Sequence, residues 1–431
     1  MVQFAVPLFS SFKERFVLVL FLIFVCCATL NFKYYQFRAL KLEKTPQIMA
    51  EVLLQYTKTK SDKTYFVLKL KSDFGIFYTT TYEDLRDIRH RKILLRLVLE
   101  NIGFWEFLKG FYAPSFSIIL LQDSTFKSKL KTTLRQNILS QHNTQIMGEY
   151  YLALFLADSL PKEWRNLAQS YGIAHIFAIS GFHTGILSVV GFFILGLLYK
   201  PLQARFFPFR NFFYDVGSVV IALLLAYYFL LTQSPSYLRA IAMGVVGFFM
   251  LWRGINIWRI EMLFWCVVIL LALFPQLLFS VGFYFSCLGV LYIFLFFKYF
   301  RIPQGVLKKL FYGIALNAST FFQMGIVVYY FFPPFSPLSL LSLVLTPLFS
   351  LYYPFVVLAH FLGFGGILDM PLLWWLGLKT HTIALNPVTY VFLVCNVLSI
   401  IALKYKIAFL ALLALNITYF GYGVYLYFYA I

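Results

Sequence analysis

Apolar residues run along this chain in long blocks, and those blocks set its predicted elements. Residues 16–32 form the first, after Lys13 and Arg15, and predict an anchor helix. Further blocks near 176–199, 212–232, 237–252, 260–274, 276–297 and 312–332 approach the roughly 20 residues a helix needs to cross hydrocarbon. Residues 337–364 are long for one crossing and contain Pro347 and Pro354. That combination predicts a hairpin of two half-length or broken helices. The expected fold is a polytopic α-helical membrane protein with about eleven crossings, the broken or hairpin segment included.

Residues 33–146 break this rhythm. Strands are expected near 49–56, 63–71, 76–81 and 115–121, with a turn at 72–75. Phe66, Leu68 and Leu70 alternate with Lys69 and Lys71, the period of a half-buried strand. The segment therefore predicts a small β-rich domain. Lys63, Lys69 and Lys71, interleaved with Phe and Tyr, suit single-stranded nucleic acid through phosphate attraction and base stacking. From this segment alone, a solvated lysine edge that blocks sheet-to-sheet pairing is the favoured account of them. Residues 148–170, carrying Asp158, Lys162, Glu163 and Arg165, predict an amphipathic helix at the membrane surface. The expected division is an anchor (1–32), a β-rich domain (33–146), an interfacial helix (147–174) and a multi-span domain (175–431).

Composition sharpens this picture. With 61% hydrophobic and 21% aromatic residues, the chain is not a soluble globular protein. Its net charge of +19 attracts anions, whether lipid headgroups or nucleic acid, and more than half of the Lys and Arg precede residue 147. Beyond that point basic residues mark alternate loops: Lys200, Arg205 and Arg210; Arg253 and Arg259; Lys298, Arg301, Lys308 and Lys309. The positive-inside rule makes these loops cytoplasmic and the N-terminus with them. The 33–146 domain, the loops at 233–236 and 332–336 and the C-terminus are then external. Lys404 and Lys406 fall inside only if 337–364 turns back, and Trp374 and Trp375 then anchor at the outer interface. The five cysteines all lie in apolar runs and are expected as small buried hydrophobes without disulfides.

The stretch 174–185, A-H-I-F-A-I-S-G-F-H-T-G, concentrates the polar chemistry of the spans. It places His175, Ser180, Gly181, His183 and Gly185 where a membrane helix would be uniformly apolar. Such groups face a bundle interior or a water-filled path, and Gly181 with Gly185 permits close helix approach. Arg239, in S-P-S-Y-L-R-A with Ser234 and Ser236, begins a span; it either snorkels or contacts phosphate. Gly282, Phe283 and Ser286 open a later one, as packing or pore wall. There is no P-loop, no H-E-x-x-H, and no His cluster at metal-ligand spacing, so neither metal nor cofactor is expected. Ser180 beside His183 leaves a membrane-embedded hydrolase as an alternative, although G-x-S-x-G is absent.

The 174–185 stretch resembles the H-L-L-A-I-S-G-L-H-V-G signature of the ComEC-type competence family, inner-membrane channels for DNA uptake. Residues 152–161 resemble its A-L-x-L-G-[DE] stretch, with Ala157 for the glycine, and 234–240 resembles S-P-S-x-x-R-A. Pro275 followed by Gly282, Phe283 and Ser286 resembles P-x(n)-G-F-x-L-S. Residues 335–347 resemble F-S-P-L-x-L-L-x-N-x-x-x-P, with Leu343 in place of asparagine. The resemblance implies a non-enzymatic channel carrying single-stranded DNA across the bacterial cytoplasmic membrane in natural transformation. It implies that 33–146 is an external oligonucleotide/oligosaccharide-binding (OB) fold. It also implies a short member without the metallo-β-lactamase-like domain of longer relatives. Expected partners are single-stranded DNA, a periplasmic DNA-binding protein, cytoplasmic helicase-type or single-strand-binding proteins, a separate nuclease and the lipid bilayer. A non-transporting scaffold of an uptake complex is the other alternative.

Overall fold

The computed structural model describes residues 11–60, 63–83, 88–99, 102–121, 126–177, 179–231, 235–252 and 260–430. Ser234, Gln233, Arg253 and Arg259, and the side chains of Lys63 and Ser236, lie outside the described residues. The chain forms two compact units: Leu8–Gln136 with Val268–Ser280, and Asn137–Val267 with Val281–Ile431.

In the first unit, α1 (Phe12–Leu42) starts on Ser11, whose hydroxyl accepts from the Glu14 amide at 3.3 Å. The helix continues past residue 32, and Phe37 and Leu40 enter the core of the following sheet. Anchor and sheet are therefore one unit, without the expected boundary between 32 and 33. The sheet is built from β1 (Gln47–Lys60), β2 (Lys63–Ser72), β3 (Gly75–Thr81) and β4 (Lys92–Leu97). Then come α2 (Phe104–Lys109), β5 (Phe111–Tyr112), β6 (Ser115–Leu120) and α3 (Phe126–Leu139). The strand order is β5-β3-β2-β1-β4-β6.

β1 serves both halves of this sheet, pairing with β2 beyond Glu51 and with β4 before it, with an irregularity between Val52 and Leu54. β5 runs parallel to β3 at one edge, and β6 antiparallel to β4 at the other. Only Ala113 and Pro114 separate β5 from β6, so one stretch of chain occupies both edges and closes the sheet on itself. Gly110 makes the turn into β5 possible, at φ +95° and with its added Cβ only 3.1 Å from the Ile76 carbonyl oxygen. The predicted alternation in β2 holds: Leu68 and Leu70 are fully buried, and Lys69 and Lys71 lie on the other face.

The second unit begins with α4 (Gln145–Leu156), α5 (Lys162–Ser170) and α6 (Ala174–Phe177). The sequence predicts one amphipathic helix over 148–170; the structure has two, broken at Ala157 in the left-handed conformation (φ 58°). α4 is core: Met147, Tyr151 and Leu154 are fully buried, and the Tyr150 and Tyr352 hydroxyls meet at 3.0 Å. Only α5 is amphipathic, with Trp164, Leu167 and Ala168 inward and Lys162, Glu163 and Arg165 exposed.

The apolar helices follow as α7 (Gly181–Phe206), α8 (Phe212–Leu230), α9 (Pro235–Trp252), α10 (Ile260–Leu273), α11 (Val281–Tyr299) and α12 (Val306–Phe331). β7 (Pro334–Phe335), α13 (Ser342–Phe361), α14 (Asp369–Leu376), β8 (Ile383–Ala384), α15 (Thr389–Ile401) and α16 (Lys406–Ala430) complete the chain. Among the described residues seven helices are long and apolar enough to cross a membrane: α1, α7, α8, α11, α12, α16, and α13 with the turn before it. Three more apolar helices, α9, α10 and α15, are shorter.

α13 corrects one expectation and supports another. It is unbroken through Pro347 and Pro354. Pro347 has no N–H to give the Leu343 carbonyl four residues back, and the Asn317 amide of α12 supplies that bond at 2.8 Å. The return is made by α14, and the ends of the excursion meet. β7 pairs with β8, and the Leu385 amide donates to the Pro333 carbonyl at 2.8 Å. Trp375 is no free interfacial anchor, since it packs edge-on against Trp164 and Tyr171; Trp374 is exposed. Beyond β8, the turn between α15 and α16 lies beside residues 298–300. The Tyr299 hydroxyl donates to the Ala402 carbonyl, and Lys406 sits 4.8 Å over the Phe300 ring. Lys298, Lys404 and Lys406 thus share one end of the unit.

Candidate functional site

The first turns of α9 meet the start of α7 and the first turns of α11, and the conspicuous sequence residues fall on these helices. Ser180 caps α7: its hydroxyl accepts from the Phe182 amide at 3.3 Å, while His183 Nδ1 accepts from the Ser180 amide at 3.3 Å. The Ser180 hydroxyl is 3.4 Å from the same nitrogen. Because Nδ1 accepts a backbone N–H, the ring proton of neutral His183 belongs on Nε2. That Nε2 is buried and has no partner among the described residues. The His183 ring is fully buried, edge-on to Phe349 at 5.1 Å and Tyr353 at 4.9 Å, both on α13.

Spacing suggested a serine beside a base; the structure shows a helix cap. Replacing Ser180 with alanine should cost about 1 kcal/mol of stability, the ordinary price of a lost cap. Function should survive within a few-fold once abundance is matched. Complete loss of function in a folded Ser180→Ala protein would instead favour a nucleophile.

Gly181 stands where α7 meets α9, but its added Cβ would lie 3.6 Å from the Ala240 Cβ, an ordinary contact, so this approach does not require glycine. Gly185 faces open space, with nothing within 4 Å of its added Cβ. The two therefore do not form one packing face. The tight helix contacts lie deeper, at glycines the sequence did not single out. A Cβ on Gly217 would be 2.5 Å from the Phe248 ring, and one on Gly191 would be 3.3 Å from Val220. His175 lies in the single turn of α6, exposed, with Nε2 3.3 Å from the Thr346 hydroxyl of α13.

Arg239 stands in the second turn of α9 and is only 3% exposed. Its Nε and Nη1 have no hydrogen-bond partner among the described residues. The Cys287 thiol of α11 lies within electrostatic reach. Snorkelling is thereby excluded, since a snorkelling arginine carries its head to water. Two residues earlier, fully buried Tyr237 donates to the Leu224 carbonyl at 3.1 Å, and its ring lies between those of Tyr227 and Tyr228, which pins α9 to α8. In the first turns of α11, Gly282 is exposed, Phe283 is buried and Ser286 is half-buried. In the sheet unit, Lys69 Nζ sits 5.8 Å from the ring centre of its cross-strand neighbour Tyr78. The walls made by Phe349, Tyr353 and Tyr237 escaped the sequence analysis, because one aromatic among so many carries no positional signal.

A helix start offers free backbone N–H groups and the positive end of a dipole. A buried, incompletely bonded guanidinium near the start of α9 makes a place for an anion, and Arg is suited to the fork geometry of phosphate. No metal-holding group of three or more His, Cys, Asp or Glu occurs among the described residues.

No curated protein and no solved structure matches the chain. The sequence pattern of a family described as "Competence protein" matches residues 154–428, well over half of the chain and including every helix that contributes to this site. With cap, buried arginine and α13 wall all inside that match, the chain belongs to the competence protein family.

Proposed function

We propose that this chain is a channel carrying single-stranded DNA across the bacterial cytoplasmic membrane during natural transformation. Family membership gives it a role in DNA uptake, and the apolar helices a membrane setting. The observation that carries the finer proposal is Arg239, whose buried Nε and Nη1 have no partner among the described residues. A buried guanidinium left incompletely bonded is costly in a chain that needs nothing there. A passing phosphate diester supplies the missing acceptors, one per nucleotide, and no base need be read. Exposed Gly185 and His175 would line the same route.

The first unit supports the same function. The pairing of β1 with both β2 and β4, and of a split last strand with β3 and β4, supports reading the sheet as an OB barrel. Lys69 beside Tyr78 on its surface pairs charge with a stacking face, as single-strand binders do. In the proposed orientation Lys298, Lys404 and Lys406 mark the cytoplasmic end, and the sheet lies outside. A periplasmic DNA-binding protein would deliver the strand, and a cytoplasmic helicase-type or single-strand-binding protein would draw it in. A separate nuclease would remove the other strand. His183 Nδ1 already accepts a backbone N–H, which favours a non-catalytic role for Ser180 and His183.

The test is to delete the gene in its host and supply fluorescent double-stranded DNA. Label should accumulate outside the cytoplasmic membrane and reach the cytoplasm again when the gene is restored. Label reaching the cytoplasm without the protein would end the channel proposal.

A further inference from the structure

The corner between α3 and α4 meets the α13–α14 return through three side chains outside the site above. His142 Nδ1 lies 3.0 Å from both carboxylate oxygens of Asp369. Its Nε2 lies 3.1 Å from His360 Nε2, and His360 Nδ1 is 2.7 Å from the Val356 carbonyl oxygen. His360 and Asp369 are buried, and His142 is half-buried with its side chain completely covered. The His142 ring stacks on Tyr151 at 4.6 Å, and Phe155 stands edge-on to His360.

Proton bookkeeping along this chain leaves one hydrogen for the gap between the two rings. A carbonyl only accepts, so His360 Nδ1 carries a hydrogen and neutral His360 presents a bare Nε2. The one hydrogen between the two rings, and the positive charge with it, belongs on His142, because the Asp369 carboxylate contacts that ring directly. Asp369 faces Nδ1 with both oxygens at 3.0 Å, a placement suited to a carboxylate receiving an N–H. His142 thus carries two ring hydrogens and a positive charge. Helix dipoles agree: the cation lies by the C-terminal turn of α13 and the anion is the first residue of α14. Gln141 closes the joint, donating to the His360 carbonyl at 3.1 Å and accepting from the Gly365 amide at 2.8 Å. Because the chain ends on a peptide carbonyl, which cannot pass a proton on, it is a clasp and not a proton wire.

We infer that charged His142, clasped between Asp369 and neutral His360, positions α13 against the start of α7. α13 is the helix whose Thr346, Phe349 and Tyr353 touch His175 and His183. Its two internal prolines weaken its own hydrogen bonding, so an external hold on its far end matters. The clasp stands independently of the channel proposal; its effect on uptake rests on that proposal.

The experiment is ¹⁵N NMR of the ring nitrogens in the full-length protein, labelled at histidine and held in lipid nanodiscs, with His142→Gln and His360→Gln spectra for assignment. The expected result at neutral pH is two protonated nitrogens for His142 and a hydrogen on Nδ1 alone for His360. In Asp369→Asn, His142 should lose its second hydrogen. A bare nitrogen on wild-type His142, or unchanged double protonation in Asp369→Asn, would overturn the clasp. At equal abundance, Asp369→Asn should lower internalised DNA roughly tenfold while surface-bound DNA persists. Unchanged internalisation alongside the expected spectra would overturn the positioning role alone.

Discussion

Arg239→Ala will cut internalised DNA roughly a hundredfold at equal protein abundance, the loss expected when a desolvated charge contact of about 2–5 kcal/mol is truncated. The same substitution should leave the melting temperature in detergent unchanged or raised. Arg239 is buried with two guanidinium nitrogens unpartnered among the described residues, so removing it relieves desolvation as it removes function. Those opposite signs separate a binding residue from a structural one, whose loss would lower both. Arg239→Lys keeps the charge without the fork and should recover part of the uptake. The arginine-dependent part of DNA binding should weaken as salt rises. A destabilised Arg239→Ala protein with normal uptake per folded molecule would refute the phosphate contact.

Trp164→Ala is the substitution expected to damage the fold most. Trp164 is fully buried where α4, α5, α6 and α14 meet, 4.5 Å from the Tyr150 ring and edge-on to Trp375. Removing an indole from such a site costs about 3–5 kcal/mol, because the surrounding rings cannot collapse into the space. A clear drop in melting temperature and in membrane abundance should follow. Trp164→Phe should do much less harm. It retains most of the packing, and the indole N–H it deletes has no partner among the described residues. Equal losses from the two substitutions would show that the site depends on that N–H after all.

Much of the helical frame was legible in the sequence, because uninterrupted apolar blocks have one physical outcome in a bilayer. The strand β2 was legible for a related reason, since Leu68 and Leu70 on one face alternate with Lys69 and Lys71 on the other. β4 was missed: Ile93, Leu94 and Leu95 are consecutive and apolar, so no period of two shows. α4 was misplaced at the surface because it was read as one helix with the charged stretch carrying Asp158, Lys162, Glu163 and Arg165; its Tyr150 and Tyr151 hydroxyls are met by Tyr352, 202 residues away from Tyr150. Pro347 announced a break that Asn317 repairs from another helix. Arg239 was conspicuous, but its burial was not, since either fate suits an arginine near the end of a span. The joining of His142 to Asp369 spans 227 residues, a separation at which spacing carries no information.

The β7–β8 pairing has a consequence for how the chain can vary. Since residues 334 and 384 are adjacent, everything between them is an excursion that returns to its starting point. Its depth, length and even its number of turns have no effect on the parity of the chain: α15 and α16 keep the same orientation whatever α13 does. Related chains can therefore rebuild this wall segment, deeper or shallower, without inverting the tail that follows it.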